Sequence, residues 1–330
     1  MHPEVKYISL VMLPCAGKVS MFKYSLLIDT VKKFKLWSES AGKTFILKSG
    51  TSETIRNNTE KIQKISIHLP KHLKPLNDEQ FGHYLAGLFD VDGYFSTQLL
   101  IIKFNYLNVE LAHNIKEIIG FGHVKKAKTK SGGYLYIIHN KDGILRTINL
   151  INGKLRTKHK FRQIRDFQRS HPKYDDYNII FTMNKSNNLN NYWLAGFCEQ
   201  GASFNKKIIN TITGYESPDI KLNFQIAFSV HLEEDKNILL MIKEFFGGKG
   251  KIWYTKHEVT FFNWNVSIFV NSWSYYYRST SFDSFKKVVD YFDTFHLQSS
   301  KYINYLKWRK SYILIQEEKN KEITVKGGMN

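Results

Sequence analysis

Two nine-residue stretches hold the side chains best suited to chemistry. Leu85 to Gly93 reads LAGLFDVDG, and Leu194 to Ala202 reads LAGFCEQGA. The first carries two carboxylates, Asp90 and Asp92. The second carries one, Glu199, and has Gly201 where the first has Asp92. Carboxylate oxygens are the donors that hard divalent cations such as Mg²⁺ take. Other metal and phosphate chemistries fail on spacing. DVDGY opens like a calcium loop, but Tyr94 stands where a fifth ligand belongs and no closing Glu follows. GGKGK, at 247–251, lacks the spacing and the Ser/Thr of a phosphate-binding loop. The 12 histidines show no zinc-ligand spacing. Cys15 and Cys198, the two cysteines, make no disulfide framework and indicate a reducing compartment.

The chain has 330 residues, 42% of them hydrophobic, which is ample for packed cores. Lys and Arg number 48 against 29 Asp and Glu, a formal net charge of +19. An excess this large favours a polyanionic partner, because each phosphate neutralised releases condensed counterions. The apolar stretch from Tyr7 to Ala16 contains Pro14 and falls well short of the roughly 20 residues of a membrane helix. No membrane partner is expected. The abundance of Lys, Asn, Ile, Phe and Tyr suits an AT-rich genome.

The elements that position the two stretches come in the same order twice. After Asn77, a suitable N-cap, apolar helix runs to about Asp90. Strand-like YFSTQLLIIKFNYL follows, then NVELAHNIKEIIG with helical spacing that stops at Gly120. HVKKAKTK and GYLYIIHN read as a hairpin around Ser131, Gly132 and Gly133. Helices over Lys141 to Ile151 and Thr157 to Gln168 close the segment. The second segment repeats this grammar, from NLNNYWLAGFCEQGASF to SFDSFKKVVDYFDTF and SKYINYLKWRKSYILI. Such recurrence at domain spacing signals an internal duplication. The resulting division is an N-terminal extension or linker over 1–74, a first repeat over 75–170, a linker over 171–187, a second repeat over 188–318 and a tail over 319–330. In the extension, the polar run SGTSETIRNNTEKIQK and the prolines of HLPKHLKP offer little core, though Lys71, His72 and Lys74 could touch nucleic acid.

The two stretches resemble the signature of the LAGLIDADG family of homing endonucleases and group I intron maturases. The flanks agree: His83-Tyr84 and Tyr192-Trp193 precede the copies, and Phe95 and Phe204 follow them. The resemblance spans roughly residues 75–318 and implies an α+β fold of two pseudo-symmetric αββαββα repeats forming a saddle of antiparallel sheets. Ala86, Gly87, Ala195 and Gly196 would let two helices meet at the interface of the halves. The implied chemistry is Mg²⁺-dependent phosphodiester hydrolysis on a long DNA site, with a metal-binding acid at the eighth signature position of each half. Asp92 fills that position in the first copy, whereas the second has Gly201. Glu199, about 200° around the helix, is a poor substitute. Asp90 and Glu199, both at the sixth position, have a structural role as their commoner fate. The resemblance also implies basic groups near the centre, for which Lys154, Arg156 and Lys301 are candidates. The tryptophans of the second segment and SYYYR could stack bases, although such residues more often pack in cores. Double-strand cleavage is in doubt with Gly201, which leaves an endonuclease or nickase, an RNA maturase that assists intron splicing without cleavage, and a non-cleaving DNA binder. Partners would be duplex DNA at an intron insertion site, intron RNA, or both. The resemblance further implies a monomer with internal pseudo-two-fold symmetry and a mitochondrial or other organellar location.

Overall fold

The computed structural model describes residues 64–96, 99–128, 132–169, 180–209, 219–230, 233–263 and 266–327. Most of the extension, the first part of the inter-repeat linker, Ser131 and Cys15 lie outside the described residues.

The first repeat runs α1 (Asp78–Asp92), β1 (Gly93–Phe95), β2 (Leu100–Phe104), α2 (Val109–Ile119), β3 (His123–Lys126), β4 (Tyr134–Ile138), α3 (Lys141–Ile151) and α4 (Lys158–Arg169). The second runs α5 (Trp193–Gly201), β5 (Ala202–Ile209), β6 (Asp219–Val230), α6 (Asn237–Phe245), β7 (Lys251–Asn263), β8 (Val266–Ser279), α7 (Phe282–Thr294) and α8 (Lys301–Gly327). Each repeat thus closes with a pair of helices. The last helix continues past residue 318 to Gly327.

Local chemistry sets the ends of these elements. Asn77 caps α1, its side chain accepting from the Gln80 amide at 2.9 Å. Asp78 and Glu79 in the first turn favour the positive end of the helix dipole. Gly120 ends α2 in the left-handed conformation at φ 82°, which a side chain would resist. The two sheets are built alike, with strand orders β1-β2-β4-β3 and β5-β6-β8-β7, all pairs antiparallel. Leu100, Ile102 and Phe104 of β2, and Leu222, Phe224, Ile226 and Phe228 of β6, turn to one continuous core that includes both signature helices. The intervening residues face away from it.

α1 and α5 pack against each other so closely that glycine is required. A Cβ on Gly87 would fall inside 3.0 Å of the Trp193 carbonyl oxygen, and one on Gly196 inside 3.0 Å of the Tyr84 carbonyl oxygen. Ala86 and Ala195 beside them are fully buried.

The end of the extension packs on the second repeat through hydrogen bonds that no local pattern announces. The Ile65 amide donates to Gln316 Oε1 at 2.9 Å, Arg309 donates to the Ser66 carbonyl at 3.0 Å, and the Leu73 amide donates to His296 Nδ1 at 3.0 Å. The His72 ring packs on Tyr302, with centroids 4.5 Å apart. Lys71 and Lys74 are exposed. No helix among the described residues is long and apolar enough to cross a membrane.

The glycine contact gives a direct test. Gly87→Ala is expected to cost about 2–3 kcal/mol, because a methyl must force two backbones apart. Urea unfolding measures it, and an unchanged midpoint would show that the seam has slack.

Candidate active site at the helix seam

The sixth-position acids hold the seam together. Asp90 is buried and accepts from the Arg156 amide (2.9 Å), the Thr157 amide (3.1 Å), the Thr157 hydroxyl (2.6 Å) and the Trp193 indole (2.7 Å). Glu199, fully buried, accepts from the Tyr84 hydroxyl (2.8 Å) and the Gln298 amide (2.5 Å). Each acid therefore ties the segment that leads into its own repeat's last helix to the signature helix of the opposite repeat. Burial pushes both carboxyls above the usual range, and the donors around them pull the other way. Glu199 is committed to this role and points away from the helix exit.

At the exits the halves differ. Asp92, the last residue of α1, is half-buried, and among the described residues it accepts no hydrogen bond and has no ion-pair partner. Burial pushes its carboxyl up to about 6, against the pull of Lys160, Lys103 and Lys301. Gly201 ends α5, and a Cβ there would meet the Ala227 carbonyl oxygen of β6 at 2.5 Å. The adjoining strands diverge too. Gly93 pairs with Ile102 and Ala202 with Ile226, so Lys103 beside Asp92 corresponds to Ala227 beside Gly201. The second half has lost both an acid and a base.

The basic residues sort differently from the sequence expectation. Lys301, the first residue of α8, donates to the Gln200 carbonyl at 3.0 Å and the Ala202 carbonyl at 2.5 Å, and burial lowers its pKa. Lys154 does not reach the centre. It pairs with Glu79 at 3.0 Å, in the first turn of α1, and the 15-residue helix puts that turn about 20 Å from Asp92. Arg156 is also directed elsewhere. Its guanidinium donates to the Ser186 and Asn188 carbonyls and lies 5.0 Å from the Trp193 ring centroid, while its backbone serves Asp90. The counterpart of Lys301 is Lys160, buried in α4, which donates to the Gly93 carbonyl at 2.5 Å. Gly93 and Ala202 are the first residues of the strands that leave the two signature helices. Burial lowers the Lys160 ammonium to about 8, against the pull of Asp92. Sequence reasoning missed Lys160 because RTKHK offers several cations and the phase of α4 selects among them.

The sheet surfaces turned away from the core flank these exits. On the first, Tyr94, Ile101, Lys103, Leu135, Ile137, His123 and Lys125 share the face. On the second, Ser203, Gln225, Arg278 and Lys251 form one cross-strand row, and Ala227, Tyr276 and Trp253 another. Tyr275 and Tyr277 alternate to the opposite side and are buried. Trp193 and Trp308 are also buried.

Known proteins are similar to this chain in sequence. The model of the family described as LAGLIDADG endonuclease matches residues 194–312. The chain is 48% identical to a cox1 intron-2 protein of Schizosaccharomyces pombe, over 93% of this chain and 88% of that protein. It is 25% identical to the intron-encoded DNA endonuclease aI3 of Saccharomyces cerevisiae, over 81% of this chain and 70% of the relative. It is also 25% identical to the intron-encoded RNA maturase bI4 of the same yeast, over 66% of this chain and 34% of the relative. Two signature helices seamed at glycine, each feeding a four-stranded antiparallel sheet, thus accompany a relative at close to half identity over nearly the whole chain, and the chain belongs to the LAGLIDADG family of intron-encoded endonucleases and maturases.

Proposed function

We propose that the chain binds a long duplex at an intron insertion site across both sheet faces, and that its phosphodiester chemistry is confined to the first half, so that it nicks one strand. The observation that carries this reading is the unequal pair of helix exits: a carboxylate among three lysines on one side, and a glycine against a strand carbonyl on the other. Among the described residues, no group of three or more His, Cys, Asp or Glu could hold a metal. One carboxylate with waters and a substrate phosphate is nonetheless an ordinary Mg²⁺ environment, and Asp92 has both oxygens free for it. A bound Mg²⁺ would supply Lewis acidity at the phosphate. Lys160, with a pKa near 8, carries its proton at neutral pH and offsets developing negative charge from a fixed position. Lys301 can do the same for the second strand, but its own half has no acid at the eighth position, where Gly201 stands.

The unlike faces favour an asymmetric target. Aliphatic Ile101 and Leu135 suit thymine methyl groups, whereas Gln225 and Arg278 suit purine edges. The protein would act as a monomer with internal pseudo-symmetry. Its likeness to a cox1 intron protein supports a mitochondrial location. A second reading, retention of intron RNA in a maturase role, is favoured by the likeness to a protein named as an RNA maturase, since the loss of an acid at 201 costs such a role nothing.

A supercoiled plasmid carrying the intron-free junction is expected, with Mg²⁺, to yield open circles and no linear form. Asp92→Asn should abolish nicking while the junction is still bound in a gel shift. Linear product from the unaltered protein would overturn the one-strand reading. Gly201→Asp is expected not to restore double-strand cutting, because its Cβ would press on the Ala227 carbonyl from 2.5 Å and displace either the ligand or the strand.

The raised pKa of Asp92 makes a separate prediction about stability. Its value rises from 3.8 to about 6 on folding, so the unfolded chain loses this proton first as pH increases. Folding stability from this group therefore falls between about pH 4 and pH 6, and the deficit persists above. Asp92→Asn should raise the melting temperature at about pH 8 and approach the parent below about pH 3, where the acid is mostly neutral in both states. A variant no more stable at pH 8 would show that Asp92 is well solvated.

A further inference from the structure

The row that the proposed function gives to metal chemistry in the first half is matched in the second by a step from small to large side chains. Across the first sheet it reads Asp92, Lys103, Leu135, Lys125; across the second it reads Gly201, Ala227, Tyr276, Trp253. Tyr276 and Trp253 stack with centroids 5.2 Å apart and planes 11° from parallel. Arg278 lies 5.2 Å from the Trp253 ring centroid and is held by Gln225 Oε1 at 2.7 Å. On its other side Tyr276 neighbours Ala227, and among the described residues no second ring or cation covers it. A methyl beside a tyrosine leaves one ring face open along a cross-strand spacing of about 5 Å.

The surroundings suit a nucleotide. Lys207, Lys221, Lys251 and Arg278 on this face are all exposed, and the one acid among its described strand residues, Asp219, stands at the far end of β6, eight residues from Ala227. Two polar atoms near this row are buried without hydrogen-bond partners: Gln200 Nε2, adjoining Gly201, and Asn223 Oδ1, two residues along β6 from Gln225. One lacks an acceptor and the other a donor, which is unusual in a finished interior.

We propose that Ala227 and Tyr276 form a slot that takes an unpaired nucleobase of single-stranded RNA, the base stacking on Tyr276 with Arg278 beside its phosphate. This proposal rests on the RNA-binding reading above. A base inside a duplex is already stacked on both sides and offers a protein its edges alone, whereas an unpaired base offers a face. The aromatic row therefore selects splayed RNA, and the loss of the acid and the lysine removes the groups that would have served a scissile phosphate.

The test uses the full chain and two fluorescent probes, a short single-stranded oligoadenylate RNA and a duplex of the intron-free junction. Tyr276→Ala is expected to weaken the RNA complex about ten-fold more than the duplex complex, the scale of one lost stacking contact, while Tyr276→Phe keeps RNA affinity. Ala227→Leu fills the slot from the other strand and should reproduce the selective RNA loss if Tyr276→Ala fails to fold. Equal losses on both probes, or no RNA loss in either variant, would overturn the slot. Failure of the parent to bind the RNA at all while binding the duplex would remove the RNA reading itself and leave the duplex reading standing.

Discussion

The close approach of α1 and α5 is the constraint on which the remaining structure depends. Glycine at 87 and 196 lets the two backbones touch, but contact alone does not fix register. Register comes from Asp90 and Glu199. A buried carboxylate depends on the donors that reach it, and removing one leaves a charge that costs several kcal/mol. Asp90 needs the Trp193 indole from across the seam as well as the Arg156 and Thr157 amides of its own repeat. Glu199 needs the Tyr84 hydroxyl and the Gln298 amide in the same way. A slide of one helix along the other would strand both acids at once. Once the seam is fixed, both helix exits are fixed as well, and with them the eighth-position residues, the first strand of each sheet and the lysines that grip those strands.

Such a division of labour explains how one half can lose its chemistry and keep its shape. The sixth-position acids support the frame and the eighth-position acid does not. Among the described residues Asp92 adds no hydrogen bond to the fold, and its burial works against stability above pH 6. Replacement of such a group by glycine relieves a cost. It also lets β6 come close enough for the Ala227 carbonyl to occupy space a Cβ would need. Lys301 remains engaged through the Gln200 and Ala202 carbonyls, with Glu199 and Asp92 also drawing on its charge, so it keeps partners without an acid at 201. The frame is indifferent to the loss, whereas the chemistry is not.

What could be read in the sequence was whatever depends on local period or on recurrence. The duplication, the αββαββα order, the caps at Asn77 and Gly120, and the difference between Asp92 and Gly201 all follow from patterns within a few turns of chain. The structural duty of Asp90 and Glu199 was legible for the same reason, since two residues along a helix change direction by about 200°. Long-range geometry was not legible. Lys154, Arg156 and Lys160 lie within seven residues, and only the start of α4 decides that the last reaches Gly93 while the first turns to Glu79. In SYYYR the strand alternates, so Tyr275 and Tyr277 enter the core while Tyr276 does not, and the phase is set by pairing with β6. The docking of Ile65 on Gln316 and of Leu73 on His296 joins residues more than 220 apart, through hydrogen bonds that any polar loop could in principle make.

The same alternation governs how much function the two sheets can vary independently. In a strand, every second residue belongs to the core and is held there by packing, while its neighbours are free of that restraint. Phe224, Ile226 and Phe228 keep the second sheet equivalent to the first, with Leu100, Ile102 and Phe104 in the matching places. Between them, Lys103 can become Ala227 and Leu135 can become Tyr276 with no consequence for the core. A duplicated fold of this kind therefore conserves its inner rows and diversifies its outer ones. The outer row nearest the seam is where a change matters most, because it adjoins the helix exit. There the first half keeps an acid and two lysines and the second keeps none, and the difference is too coordinated across three strands to be the effect of Gly201 alone.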